Sequence, residues 1–495
     1  MPSYVLALDQ GTTSTRVILY DREAHAVGSV ARELTQHYPQ PGWVEHDPDE
    51  IWQAVGPLTT ALLAQTGIRA GDVAAIGLTN QRETTVLWDR ATGQPVARAL
   101  VWQDRRTADF CRAQRDREPW LYERSGLILD PYFSATKVRW LLDHVPGAAA
   151  AARAGRLAFG TIDSFLIWRL TGGQAHVTDV TNASRTLLLN LHEVRWDQEL
   201  CDWFGVPAAL LPAVKPSAAH FGTTRGLGFL PDGIPITGVA GDQQAALFGQ
   251  RCFDAGEAKC TYGTGAFLLL HTGDRPTLSK HRLIATLAAT TDERPRYALE
   301  GSIFIAGAAV QWLRDGLKLF TSAEQVEGLA RQSAEPGVYF VPALVGLGAP
   351  HWVPEARGVL FGLTRATTAA DLARAALEGV AFQVVDLVEA AEADSSAGLR
   401  ELRVDGGMVR NDLVLQLQTD LLGRPLLRST QSEATALGAA LLAGLTVGIW
   451  PDLDTLKRLP LPADRFTPQL PDDQRRARLA GWRKAVATTI NHYTH

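Results

Sequence analysis

A chain of 495 residues, 46% hydrophobic and 20% charged, is too long for one ordinary core and has a soluble globular composition, so two large domains are expected. Its formal charge of −5 is spread without a basic run or an acidic tail, which argues against nucleic acid as a partner. The cysteines, Cys111, Cys201, Cys252 and Cys260, form no CxxC pair and no disulfide framework, so a reducing cytoplasm is the expected setting.

The first apolar run, Tyr4 to Leu8, is too short for the core of a signal peptide and leads straight into Asp9-Gln10-Gly11-Thr12-Thr13-Ser14-Thr15-Arg16. A second β-forming run, Val17 to Tyr20, follows, so the stretch reads as a β-hairpin. Backbone N–H groups and hydroxyls at its tip can converge on an anion, and Gly11 lets the backbone approach it. A carboxylate at Asp9 would repel a phosphate there unless a cation bridged them, which points to Mg²⁺. The plainer reading is a polar hairpin turn, and only the later chain decides between them.

Short apolar strands then alternate with amphipathic stretches, as in α/β architecture. Val73 to Leu78 and Thr85 to Trp88 read as strands around Thr79-Asn80-Gln81-Arg82-Glu83-Thr84. Ala99 to Trp102 reads as another, before a charged helix start at Gln103-Asp104-Arg105-Arg106. Lys137 to His144 has helical spacing, and Gly160 to Ser164 opens a helix over Phe165 to Leu170. Ile234 to Gly241 is a strand, and Asp242 to Gly249 a helix. Lys259 to Tyr262, Gly263-Thr264-Gly265 and Ala266 to His271 repeat the opening pattern of strand, Gly/Thr turn and strand. Such an echo implies a duplicated domain with both turns facing one cleft, the division falling near Gly249 to Ala255. Further on, Gly301 to Ala309 leads into a helix around Gln311-Trp312, and Ala370 to Leu387 is helical. Leu402 to Val404 is a strand ending in Asp405-Gly406-Gly407, before a helix from Asn411 to Leu422. Ala434 to Gly444 is too short to cross a bilayer and reads as a buried helix, so no stable membrane insertion is expected. The tail beyond Pro451 is polar, proline-punctuated and carries no legible chemistry.

The Gly-rich turns are neither a Walker loop nor a Rossmann fingerprint. Two phosphate hairpins plus an Asp-Gly-Gly turn on the adenosine side resemble the layout of the actin/Hsp70/sugar-kinase ATPase fold. Tyr132-x-Ser134-x-x-Lys137-Val138-x-Trp140-Leu141-x-Asp143-His144 resembles the first signature of the FGGY carbohydrate kinases. Gly358-x-Leu360-x-Gly362-Leu363, followed by Asp371-Leu372-x-x-Ala375-Ala376-Leu377-Glu378, resembles the second. The resemblance implies two duplicated actin-like (ribonuclease H-like) α/β domains around a central cleft. Residues 1–252 would carry the substrate side, the first phosphate hairpin and the catalytic Asp, and 253–495 the second hairpin and the adenosine site.

Within the family, Asn80 to Thr84, Trp102-Gln103-Asp104, Asp130 to Phe133, Gly241 to Gln244 and Tyr262 to Phe267 are most similar to the members that phosphorylate glycerol with ATP. The likeness implies that Arg82, Glu83, Tyr132, Asp242 and Gln243 hydrogen-bond the glycerol hydroxyls, with Trp102 and Phe267 against its carbons. It also implies that Asp242 is the general base. Thr12, Thr13, Ser14 and Arg16 would meet the β- and γ-phosphates and Thr264 would sit in the second hairpin. Gly307, Gln311, Gly407 and Asn411 would hold ADP, and Asp9 would hold Mg²⁺ largely through water. A homo-oligomer, dimer or tetramer, is implied as well.

Each residue also has a plainer reading. Arg82-Glu83 could be a solvated surface pair, Trp102 and Tyr132 core aromatics, Phe267 a buried strand residue, and Asp242 a helix N-cap. Another polyol or a ketose as substrate, or a catalytically silent protein of the same fold, are the alternatives to glycerol phosphorylation. The loop from His220 to Gly233 departs from the family pattern. It lacks the Gly-Gly-Lys-Gly run linked in some bacterial members to fructose 1,6-bisphosphate inhibition, and the histidine used by phosphocarrier-activated members.

Overall fold

The computed structural model describes residues 3–333, 337–430 and 433–494. Among them, two large sheets repeat one plan. In the first, Pro235–Gly241, Val73–Asn80 and Tyr4–Gln10 run parallel, and Ser14–Tyr20 and Ala26–Glu33 continue antiparallel from the hairpin. In the second, Leu426–Ser429, Glu401–Asp405 and Glu257–Tyr262 run parallel, and Ala266–Gly273 and Tyr297–Ile303 continue antiparallel. Extra antiparallel strands complete the edges: Ala218–Thr223 on the first sheet, Ile284–Leu287 and Ala463–Phe466 on the second. The duplication expected from the two hairpins is thus present in strand order and direction. In the parallel strands of the first sheet, runs such as Ala75-Ile76-Gly77-Leu78 are buried, as strands covered on both faces must be.

The helix Ala434–Thr446 is buried along most of its length, yet it does not cover the sheet beside it in sequence. It returns to pack on the first sheet and on the helix Asp242–Gly249. Glycines allow main chain to meet main chain there. A Cβ on Gly77 would lie 2.3 Å from the Ala439 carbonyl oxygen, and one on Gly438 would lie 1.8 Å from that of Ala245.

One sequence expectation is corrected. No helix starts at Gln103: the strand there ends at Leu100, and the helix begins only at Ala108. The reason is Asp104, whose buried carboxylate accepts from the backbone N–H of Val44 at 2.7 Å and of Arg106 at 2.9 Å, holding a turn that competes with helix. The stretch from Gly301 begins as the end of the strand Tyr297–Ile303 and leads, as expected, into a helix, which starts at Gly307. The tail beyond Pro451 is structured, with helices Leu453–Arg458 and Asp472–Thr494 and an edge strand between them. No helix among the described residues is long and apolar enough to cross a membrane.

Candidate active site

The first hairpin closes where the Gly11 N–H donates to the Ser14 carbonyl at 2.9 Å. Thr13 is exposed at the tip, while the Thr12 carbonyl accepts from Gln36 Nε2 at 2.9 Å. The second hairpin closes in the same manner, Gly263 N–H to the Gly265 carbonyl at 2.8 Å, and again leaves its threonine, Thr264, exposed. It is stitched to the start of the helix Gly307–Asp315: the Gly263 carbonyl accepts from Gly307 N–H at 3.0 Å, and that of Thr264 from Ala306 at 2.8 Å. Side chains do not fit this seam, because a Cβ on Gly307 would lie 2.7 Å from the Gly263 oxygen.

Asp9 lies next to last in the first strand, opposite Arg16. Burial and then the charge of Asp242 push its pKa up to about 7, with Arg16 opposing. The Arg16 guanidinium is paired with the Glu433 carboxylate. On the adenosine side, Gly406 has φ +97° and would clash at 2.4 Å with the Tyr262 carbonyl if it bore a Cβ, so the Asp-Gly-Gly turn abuts the second hairpin. Gly407 opens a short 3₁₀ turn, and Asn411 caps the helix Asp412–Leu422 by accepting from Val414 N–H at 3.0 Å. Gln311 is exposed on the helix Gly307–Asp315.

Arg82 and Glu83 follow the strand Val73–Asn80 at its carboxyl end, where α/β sheets place ligands. They are no solvated pair: both are buried, at 3% and 1% exposure. Glu83 is held at φ +59°, a conformation that non-glycine residues adopt only under local constraint. Arg82 Nε lies 3.2 Å from Asp242 Oδ1, and its Nη1 donates to Gln244 Oε1 at 3.2 Å. Arg185 Nε donates to Glu83 Oε1 at 2.6 Å. Burial raises the Glu83 pKa, against the pull of Arg185 and Arg82.

Asp242 is the first residue of its helix rather than the cap. Gly241 occupies that position without a side-chain bond, and the Asp242 carboxylate instead accepts from Gln243 N–H at 2.7 Å. The N-cap reading of Asp242 is therefore overturned. Trp102 and Tyr132 meet edge to face with ring centroids 5.6 Å apart. Trp102 also bridges to the phosphate hairpin, its Nε1 donating to Thr12 Oγ1 at 2.9 Å. Gln243 accepts from Lys259, and Phe267 sits half-buried on the second sheet opposite Thr261 and Ser302. Arg82, Glu83, Tyr132, Trp102, Thr12 and Asp242 thus form one connected wall.

Sequence reading missed four supports of this wall. Lys137 is fully buried and donates to the carbonyls of Pro131 and Tyr132, each at 2.6 Å, which anchors the loop carrying Tyr132. Burial lowers its pKa to about 8. Arg185 and Glu300 are also fully buried. Burial opposes the charge on Glu300, but Arg185 and Arg82 outweigh it and bring its pKa down to about 2. Lys259, likewise buried, faces Gln243. For Glu300 the available signal was a lone carboxylate within Tyr297-Ala-Leu-Glu-Gly-Ser-Ile303, an otherwise uncharged strand, and for Lys137 its place in the first signature.

Two sheets of one topology, each ending in a Gly/Thr hairpin, with a buried polar wall beside the first, define a sugar-kinase-type member of the actin-like ATPase fold. The chain belongs to the FGGY family of carbohydrate kinases: residues 4–249 match the family's N-terminal domain and residues 258–447 its C-terminal domain. It is 56% identical over 485 residues to a glycerol kinase of Alkalilimnicola ehrlichii, covering 97% of each chain. It is 54% identical over 491 residues to one of Dechloromonas aromatica, covering 99% of this chain and 98% of that one. Among solved structures, the Plasmodium falciparum glycerol kinase with ADP superimposes with a TM-score of 0.93 at 38% identity, covering 98% of each chain. A xylulose kinase of Lactobacillus acidophilus does so at 0.86 and 25% identity, covering 99% of this chain and 97% of that one.

Proposed function

We propose that this chain transfers the γ-phosphoryl group of ATP to a terminal hydroxyl of glycerol, giving sn-glycerol 3-phosphate. The observation that carries the reading is the meeting of Asp242 and Arg82 at 3.2 Å beside the Trp102–Tyr132 ring pair. Polar groups there can fix hydroxyls while ring faces take the C–H surface, which suits a small triol. Arg82, Glu83, Tyr132 and Gln243 hold and orient the polyol, with Phe267 closing on it from the second sheet. Asp242 is 31% exposed and accepts the proton of the reacting hydroxyl as the phosphoryl group transfers. In a loose transition state the protein's task is position and charge rather than covalent chemistry.

Thr12, Thr13, Ser14 and Arg16 on one side and Thr264 on the other grip the phosphates, and Gly307, Gln311, Gly407 and Asn411 frame the adenosine end. Residues 1–252 carry the polyol side and 253–495 the second hairpin. Burial and then the charge of the Asp242 carboxylate raise the pKa of Asp9, so the two carboxylates sit near one another. No cage of three or more His, Cys, Asp or Glu groups exists among the described residues. That pairing fits Mg²⁺, which keeps most of its waters and is held by one or two carboxylates with substrate phosphates. When bound, it would neutralise phosphate charge. The cysteines are unpaired, in keeping with a cytoplasmic setting.

The test is ATP-dependent ADP release across glycerol, dihydroxyacetone, erythritol, xylulose, ribulose and gluconate. Glycerol should give the highest kcat/KM. A ketose or sugar acid outrunning it would overturn the substrate assignment.

A further inference from the structure

The second sheet sends two fully buried charges against the wall of the first domain: Glu300 onto Arg82, and Lys259 onto Gln243. Glu300 takes Arg82 with both oxygens, at 2.5 Å to Nη1 and 3.1 Å to Nη2, and accepts from Arg185 Nη2 at 3.0 Å. Charge balance within the first domain does not require it. Arg82 already has Asp242 at 3.2 Å, and Arg185 has Glu83 at 2.6 Å. A carboxylate in the middle of a buried strand is also costly to desolvate, so its placement calls for a role beyond packing.

Counting donors suggests that role. A guanidinium carries five N–H bonds in a fixed fork. In Arg82, Glu300 and Gln244 take three and Asp242 faces the Nε–H. One Nη2 hydrogen remains for a ligand oxygen, and the bidentate grip of Glu300 sets the plane in which it points.

We propose that Glu300 is a positioning residue that aims the Arg82 guanidinium at the polyol, so that the clamp of the first domain is complete only with the second sheet docked against it. The inference rests on Arg82 contacting the substrate. Lys259 acts in the same sense on Gln243, so two of the polyol contacts are each held by a charge from the opposite sheet. Substrate affinity is thereby tied to the seating of one domain on the other.

The experiment uses the full chain with Glu300→Gln and Glu300→Asp. Glu300→Asp keeps the counter-charge that the two guanidinium groups need but is one methylene too short for the same grip. It is therefore the deciding variant if Glu300→Gln does not fold. KM for the polyol, KM for ATP, kcat and Tm are measured with whichever substrate wild type uses best. Glu300→Asp should raise the polyol KM by about 10- to 100-fold, the scale of one charge-assisted hydrogen bond, with kcat and the ATP KM within about threefold of wild type. A purely structural role would lower Tm and leave the polyol KM unchanged, and that result would overturn the proposal. Should wild type prefer another polyol or a ketose, the substrate assignment fails, while the ratio of variant to wild-type KM on that substrate still decides the role of Glu300.

Discussion

Replacing Asp242 by Asn separates chemistry from architecture. The amide oxygen of Asn can still accept from the Gln243 N–H now bonded at 2.7 Å, and the N-cap is Gly241 in either case. What disappears is the charge facing Arg82 Nε and the ability to take up a proton. The Asp242 side chain is 31% exposed, so the lost pair costs at most about 1 kcal/mol. Arg82 keeps its two bonds to Glu300. For a chain of this size, Tm should fall by no more than about 2–4 °C. If Asp242 is the general base, kcat should fall by roughly 10²–10⁴. At about 1.4 kcal/mol per decade, that is about 3–5 kcal/mol of transition-state stabilisation. The assay is coupled ADP release at saturating glycerol and MgATP, because kcat is read there free of any change in glycerol affinity. A folded Asn variant that retains more than about a tenth of wild-type kcat would refute the base assignment.

Three further outcomes are expected. Gly438→Ala should destabilise the protein by about 1–3 kcal/mol in chemical denaturation, because its Cβ would fall 1.8 Å from the Ala245 oxygen. Helix propensity alone predicts the opposite sign, a gain of about 1 kcal/mol, so a stabilised variant would refute the close-contact argument. Burial, then the neighbouring Asp179, raises the pKa of Asp163 to about 7, so the folded state holds a proton that the unfolded chain gives up near pH 4. The resulting stability is present in full below pH 4 and lost as pH rises through 7, a change of up to about 4 kcal/mol. Asp163→Asn should therefore flatten the fall of Tm between pH 5 and 8, and an unchanged slope would count against it. Fructose 1,6-bisphosphate at millimolar concentration should leave the rate unchanged, since the His220 to Gly233 loop offers no Gly-Gly-Lys-Gly run; saturable inhibition would place an effector site elsewhere.

Local signals made the hairpins legible, because a Gly/Thr turn between two β-forming runs is written within a dozen residues. Distance in sequence hid the rest. Ala434–Thr446 reads plainly as a buried helix, but its choice of the first sheet depends on Gly77 and Gly438 meeting the main chain of partners far away in sequence. Arg185 and Glu300 lie more than a hundred residues apart, and only the fold makes them an ion pair. At Gln103 to Arg106 the charged pattern favoured helix, and one buried carboxylate, Asp104, decided otherwise. The last helix buries Leu479, Trp482, Val486 and Thr489 in a narrow stripe, which the charged residues crowding its first half obscured.

The return of Ala434–Thr446 to the first sheet also bears on how the chain is made. The strands of that sheet are complete once Gly241 has left the ribosome, but the helix that covers them is still some two hundred residues from synthesis. At roughly 5–20 residues per second, the nascent sheet waits for about 10–40 s with a glycine-pitted apolar face open to water. The first half therefore cannot bury that face as a vectorial unit before Ala434–Thr446 is made.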